Sequence, residues 1–164
     1  INEIESHKKS IFDFWKFSNK DEKLSLEMGN EKEIREAIVA GERALKSLYE
    51  AREKLQKAGN WGLFDMFGGN TFSGLMKHGR ISEAKRCIEE ANRNLRVFQK
   101  ELRDVNVALD LQIDIGGLLS AFDFLFDGLI ADAMVQSKIN KAKDGVNRAI
   151  PQVERALSKL KSYR

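Results

Sequence analysis

The sequence contains very little proline, cysteine or histidine. It has one proline, Pro151, one cysteine, Cys87, and two histidines among 164 residues. A single cysteine excludes an intrachain disulfide, and we expect Cys87 to act as a small buried apolar residue. The histidines, His7 and His78, do not form the Glu-x-x-His pairs of di-iron helical bundles. These absences favour long helices over a disulfide scaffold.

Neither sign of charge dominates the chain. The 28 basic residues are mixed with 25 acidic ones, which gives a net charge of +3 at pH 7. Because nucleic-acid-binding domains concentrate basic residues on one face, we do not expect nucleic acid as a partner. No apolar run reaches the ~18 residues of a membrane span. We expect a cytoplasmic protein, with the inner face of the membrane as the alternative location.

Three segments share one apolar spacing, in which successive members are alternately three and four residues apart. This spacing places all members on one face of a helix and is typical of a coiled-coil-like seam. Alanines alternate with larger residues, which indicates closely packed helices about 35–40 Å long. The seams are Ile34, Ala37, Gly41, Ala44, Leu48, Ala51, Leu55 and Ala58; Ile81, Ala84, Ile88, Ala91, Leu95, Phe98, Leu102, Val105 and Leu109; and Ile139, Ala142, Val146, Ala149, Val153, Ala156, Leu160 and Tyr163.

Local signals predict where these helices begin and end. Asn30 with Glu33 resembles a capping box and predicts a helix start. Gly59 and Gly79 are suited to the left-handed conformation that ends a helix. Pro151 lies inside the third seam and predicts a kink just before it, because it lacks a backbone donor and clashes with the preceding turn.

The regions before the second and third seams are apolar and related by an internal repeat. A displacement of 58 residues places Phe64-Asp65 on Phe122-Asp123 and Ala84-Lys85 on Ala142-Lys143. We interpret residues 60–78 and 116–134 as short apolar helices within a repeat of 63–95 and 121–153. The fold class expected is all-α: an antiparallel helical bundle of three long heptad-patterned helices, two short apolar helices that form the internal repeat, and an N-terminal helical segment.

Two stretches carry a pattern that is found elsewhere. The first runs from Asn60-Trp61-Gly62 through Asp65, Gly68-Gly69, Ser73 and Lys77-His78 to Glu83-Ala84, and the second runs from Phe126-Asp127-Gly128 to Lys138-Ile139. The pattern resembles that of uncharacterised helical proteins of Gram-positive bacteria and covers roughly residues 32–160. The resemblance implies a helical fold and a bacterial source, and it implies no activity.

Few residues suggest chemistry. Asp65 and Asp123 would form either a paired carboxylate site or two helix-end caps, and we favour the caps because no histidine lies near either in sequence. A basic cluster is a weak candidate for anion contact, with a solvated helix end as the favoured alternative. Its members are Lys77, His78, Arg80, Lys85 and Arg86. We expect no catalytic residue, metal or cofactor.

The N-terminal segment is the clearest candidate for interaction. Five of the seven residues from 11 to 17 are large and apolar, namely Ile11, Phe12, Phe14, Trp15 and Phe17. We divide the chain into this segment with a polar linker, residues 1–29, and the bundle, residues 30–164. The segment is expected to dock on its own bundle, on a protein partner or second copy, or on a membrane surface. The first hypothesis is a non-enzymatic interaction or scaffold module, and the alternative is a peripheral membrane protein.

Overall fold

The computed structural model describes residues 2–64, 72–109, 111, 113 and 136–163. These residues form three helices and no strand: α1 (Asn2–Phe64), α2 (Phe72–Leu109) and α3 (Gln136–Ser162). At 1.5 Å per residue the helices are about 95, 57 and 40 Å long. The prediction of an all-helical protein is confirmed, and α1 is much longer than its seam indicates.

Helix α1 packs on α2 with the opposite chain direction. Late in α1, the Lys54 ammonium lies 2.7 Å from the Glu83 carboxylate, which is early in α2. Earlier in α1, Gly41 lies against the Phe98 ring, which is further along α2. The two helices are therefore antiparallel.

Helix α1 also packs on α3, again in the opposite direction. The Tyr49 hydroxyl donates a 2.6 Å hydrogen bond to Glu154. The Glu42 carboxylate lies 2.7 Å from the ammonium of Lys161, near the end of α3. Since α1 is antiparallel to both neighbours, α2 and α3 run in the same direction, and α1 is the helix that both contact.

The three seams form one apolar core. Every seam member whose side chain is described is buried, except at the ends of the second and third seams. Leu109 is half-buried, and Tyr163 is exposed because it follows the end of α3. Cys87 is also buried, as predicted. The heptad spacing therefore identifies the core-facing side of each helix correctly.

Gly41 marks the point at which α2 and α3 approach α1 together. A Cβ atom built on Gly41 would lie 2.6 Å from Leu157 Cδ2 on α3 and 2.7 Å from Phe98 Cε2 on α2. Both side chains are themselves buried. A hydrogen is thus the only side chain that fits between these two neighbours at their present positions.

The predicted helix boundaries are wrong. Helix α1 continues through Asn30 and Gly59, and α2 continues through Gly79. A glycine inside a helix costs only about 1 kcal/mol relative to alanine. The flanking residues and the core packing of the same helix offset that cost, so the local stop signals are overridden.

The predicted polar linker is helical as well. Residues 18–29 belong to α1 rather than to a flexible tether. They are rich in lysine, glutamate, leucine and methionine, which favour helix. Lys23 and Glu27 also form an i,i+4 ion pair at 4.0 Å, a spacing that adds a small stabilisation to an exposed helix.

Pro151 is accommodated within α3, which continues on both sides of it. Proline removes one backbone hydrogen bond. The buried residues Ile150 and Val153 beside it hold the surrounding turns on the core. The kink just before Pro151 stays a prediction.

Asn106, in the last turn of α2, forms two hydrogen bonds with the backbone of Ile113. Its side-chain amide donates to the Ile113 carbonyl at 3.1 Å and accepts from the Ile113 amide at 3.2 Å. Ile113 is buried in the core. Asn106 therefore ties Ile113 to the last turns of α2.

Several predicted features lie wholly or partly outside the described residues. Asp65, Asp123 and the whole of the second apolar insert, residues 116–134, are among them. The ends of the first insert, residues 60–64 and 72–78, belong to α1 and α2, so the described residues contain no separate short helix there.

Candidate interaction surface

The first part of α1 extends beyond the core as an exposed helix. All residues from 6 to 29 are exposed, and from residue 6 onward Ile34 is the first buried residue of α1. We call residues 6–29 the arm. Its 24 residues correspond to about 36 Å of helix. The arm is thus a continuation of the central helix of the bundle.

The five predicted interaction residues all lie on the arm and are all open to solvent. Their exposed fractions are 63% for Ile11, 59% for Phe12, 77% for Phe14, 62% for Trp15 and 68% for Phe17. The expectation that these side chains dock on their own bundle is therefore not met in this structure. A continuous helix carries them past the end of the core and leaves them exposed.

Three further apolar residues extend this surface toward the bundle. Leu24, Leu26 and Met28 are exposed by 54%, 67% and 65%. The sequence interpretation missed them because the residues between them are polar and were assigned to a linker. Their signal is helical spacing: Leu24 and Met28 lie seven and eleven residues after Phe17, on the same side of a helix.

The apolar residues of the arm form two stripes. At 100° per residue, one stripe covers an arc of about 80° and the other an arc of about 100°. The Phe14 stripe contains Phe14, Phe17, Leu24 and Met28, and the Trp15 stripe contains Ile11, Phe12, Trp15 and Leu26. The remaining side carries Lys9, Asp13, Lys16 and Lys20. A helix that is apolar over so wide an arc requires cover on more than one side.

The basic cluster is only partly described. Lys85 is half-buried and Arg86 is exposed on α2. Lys77, His78 and Arg80 belong to the same helix, but their side chains lie outside the described residues. The prediction of an anion contact at these five residues therefore stays a prediction.

Three carboxylates meet where α1 packs on α2. Oxygen atoms of Glu33, Glu36 and Glu101 lie within 4.8 Å of one another. Two lysines neutralise part of this charge: Lys32 lies 3.6 Å from Glu36, and Lys100 lies 3.5 Å from Glu101. Sequence analysis missed this cluster because Glu101 is distant from the other two along the chain. The group is at the surface and is a charged rim of the helix interface.

Two of the hydrogen-bonded pairs that perturb a pKa join one helix to another. The hydrogen bond with Lys54 lowers the pKa of Glu83 and raises the pKa of Lys54. The hydrogen bond to Glu154 raises the pKa of Tyr49, whose ring also lies 4.8 Å from the Arg52 guanidinium. These pKa shifts result from pairs that join α1 to α2 and to α3. Both pairs hold helices together, and neither indicates a binding or catalytic site.

Burial explains the one perturbed thiol. It raises the pKa of Cys87, which disfavours the thiolate, the reactive form of the side chain. Cys87 therefore behaves as a core residue.

Comparison with protein-family models, curated proteins and solved structures finds no match to this chain. Among the described residues, none of the helices combines the length and the hydropathy of a membrane span. The candidate function consequently depends on the geometry of the chain itself, and above all on the arm.

Proposed function

We propose that the chain is a non-enzymatic helical interaction module. In this proposal the bundle is the rigid base, and the arm is the element that binds a protein. The observation that carries the proposal is the exposure of eight large apolar side chains along one continuous helix. Soluble monomers rarely expose contiguous apolar patches larger than a few hundred Å2.

The energy available from covering the arm is large enough to support binding. Full burial of a large apolar side chain contributes about 1.5–3 kcal/mol. Association costs an estimated 4–15 kcal/mol in translational and rotational freedom. Several arm residues buried together offset that cost. The helical base also lowers the ordering cost of the arm, because its backbone is already in one conformation.

The proposed bundle contains the internal repeat. We infer that α3 and the corresponding part of α2 are the helical halves of the repeat predicted from the sequence. Ala84 and Ala142 are both buried, as are Leu95 and Val153, which are also 58 residues apart. Gly41 contacts both helices. The two short apolar helices complete the proposed bundle.

Location and source are part of the proposal. We propose a cytoplasmic protein of bacterial origin, in keeping with the resemblance to uncharacterised helical proteins of Gram-positive bacteria. The mixed charge of the chain and its helical composition support this proposal.

The alternative is a peripheral membrane protein. The observation in its favour is the pairing of Trp15, Phe12 and Phe14 with Lys9, Lys16 and Lys20 on the opposite side of the arm. Helices that lie in a membrane interface combine aromatic residues with lysines in this way. The basic part of the arm would then sit at the level of anionic headgroups.

Site-specific photo-crosslinking in cells tests the proposal. A photoreactive phenylalanine analogue is placed at Phe14, and a matched control carries it at Val107, which is 83% exposed on α2. We expect protein adducts of discrete mass from position 14 and none from position 107. Adducts to lipid alone from position 14 would contradict the proposal and favour the membrane alternative.

A further inference from the structure

The arm and the first turn after it carry their charges in two opposite halves. Residues 8–20 contain four lysines and one aspartate. Residues 21–33 contain five carboxylates and two lysines. The first half thus has a net charge of +3 and the second has a net charge of −3. The boundary between them lies between Lys20 and Asp21.

This separation determines how two arms would pair. In a parallel pair, the basic half of one copy faces the basic half of the other. In an antiparallel pair centred on the boundary, each basic half faces an acidic half. Complementary charge favours the correct orientation and opposes the wrong one, since like charges repel.

The spacing of residues along the Phe14 stripe is nearly the same in both chain directions. Phe14, Phe17, Asp21, Leu24 and Met28 follow one another at spacings of three, four, three and four residues. In an antiparallel pair centred on the boundary, Phe17 of each copy lies opposite Leu24 of the other, and Asp21 lies opposite Lys20. A single polar residue within such a seam fixes its register at a cost in stability.

We propose that the arms of two copies of this chain pair in an antiparallel orientation. The pair is centred near Lys20 and Asp21, and the two bundles lie at opposite ends. This inference rests on the proposed function and names its partner as a second copy. The Phe14 stripes form the contact, and the lysines of each basic half face the carboxylates of the partner's acidic half.

The charge distribution favours a second copy over an anionic membrane. Leu24, Leu26 and Met28 share the acidic half with five carboxylates. An anionic lipid surface attracts lysines and repels those carboxylates. A membrane would therefore cover only the basic half, whereas an antiparallel partner covers both halves of the arm.

Charge reversal tests the pairing. In sedimentation equilibrium of the full chain, Lys16→Glu with Lys20→Glu should weaken self-association by about tenfold or more, since several ion pairs become repulsive. Adding Glu22→Lys and Glu27→Lys to the same chain should restore it. All four positions are exposed, so the core is unchanged. A monomeric parent chain, or equal dissociation constants for all variants, would overturn the inference.

The orientation is tested by the distance between two spin labels. Arg35→Cys provides an exposed labelling position on α1, in a Cys87→Ala background that removes the native thiol. An antiparallel pair centred on the boundary places the two labels about 45 Å apart, whereas a parallel pair places them about 10 Å apart. A short distance would overturn the inference.

The fluorescence of a tryptophan at position 17 separates the failure of this inference from the failure of the proposed function. The chain carries Phe17→Trp together with Trp15→Phe and Trp61→Phe, so that its only tryptophan lies on the Phe14 stripe. A red shift on dilution supports self-pairing. A blue-shifted spectrum that is unaffected by dilution or vesicles means intramolecular docking and overturns the inference. A blue shift only with anionic vesicles overturns both proposals. A monomeric chain that crosslinks through position 14 to another protein overturns the inference alone.

Discussion

At the scale of single residues, two glycines of α1 differ in whether their surroundings leave room for a larger side chain. Gly29 and Gly41 both lie inside α1. A Cβ on Gly29 would have no neighbour within 4 Å, whereas one on Gly41 would collide with α2 and α3. Gly41 is therefore required by packing, and Gly29 is not.

Gly41→Ala is expected to destabilise the bundle by about 1–3 kcal/mol, the usual cost of overpacking a core. Gly29→Ala is the matched control, and it should increase the helicity of the arm, because alanine is favoured over glycine in a helix by about 0.5–1 kcal/mol. Urea unfolding measures both variants. A Gly41→Ala variant as stable as Gly29→Ala would contradict the close approach of three helices at this position.

A similar prediction concerns two residues of the second seam, Leu95 and Ala91. Leu95 is 1% exposed in the core, so Leu95→Ala should cost about 2–5 kcal/mol. Ala91 is fully buried one turn earlier, and Ala91→Leu should cost about 1–3 kcal/mol through overpacking. Chemical melts report both values. A neutral Ala91→Leu would mean that α2 is not closely packed at Ala91.

At the scale of the elements, α1 determines the architecture because both other helices pack on it. Its partners are held at the surface by ion pairs that lie along the interfaces, such as Lys54 with Glu83 and Glu42 with Lys161. Exposed pairs of this kind contribute little each. The core therefore provides most of the stability, and the pairs are consistent with the register that core packing gives to the helices.

The pair between α1 and α2 gives a dependence of stability on pH. The pKa of Glu83 is lowered in the folded chain, so its contribution is present above the pKa of the unfolded chain. The contribution is lost as the pH falls through the lower folded value. Glu83→Gln should therefore unfold with less dependence on pH in the acidic range than the parent. Identical acid profiles for the two proteins would show that the pair has no effect on stability.

At the scale of the whole molecule, the heptad periodicity correctly predicted which residues of each helix face the core. The local capping and stop signals did not predict the helix boundaries, because flanking residues and tertiary packing determine where the helices end. The three seams were identified because burial repeats along each helix. The capping signal at Asn30 and the stop signal at Gly59 were overridden by neighbouring residues that favour helix. The carboxylate group of Glu33, Glu36 and Glu101 was not predictable, since it depends on how α1 and α2 are aligned.

Only part of the candidate interaction surface was predicted from the sequence, because the rest of it depends on the helical conformation of residues 18–29. The residues from Ile11 to Phe17 stand out as a cluster in sequence. Leu24, Leu26 and Met28 join them only once residues 18–29 are helical. Their exposure follows from the length of α1, which carries the arm beyond the last turn of α2.

The central claim is that the arm binds a protein, with a second copy of this chain as the partner. Sedimentation equilibrium of three full-length proteins tests it most directly: the parent, Phe14→Gln with Phe17→Gln, and Val107→Gln as an exposed control outside the arm. The account predicts that the parent and the control form dimers with the same dissociation constant, while the arm variant is monomeric at the same concentrations. Three identical profiles would contradict it.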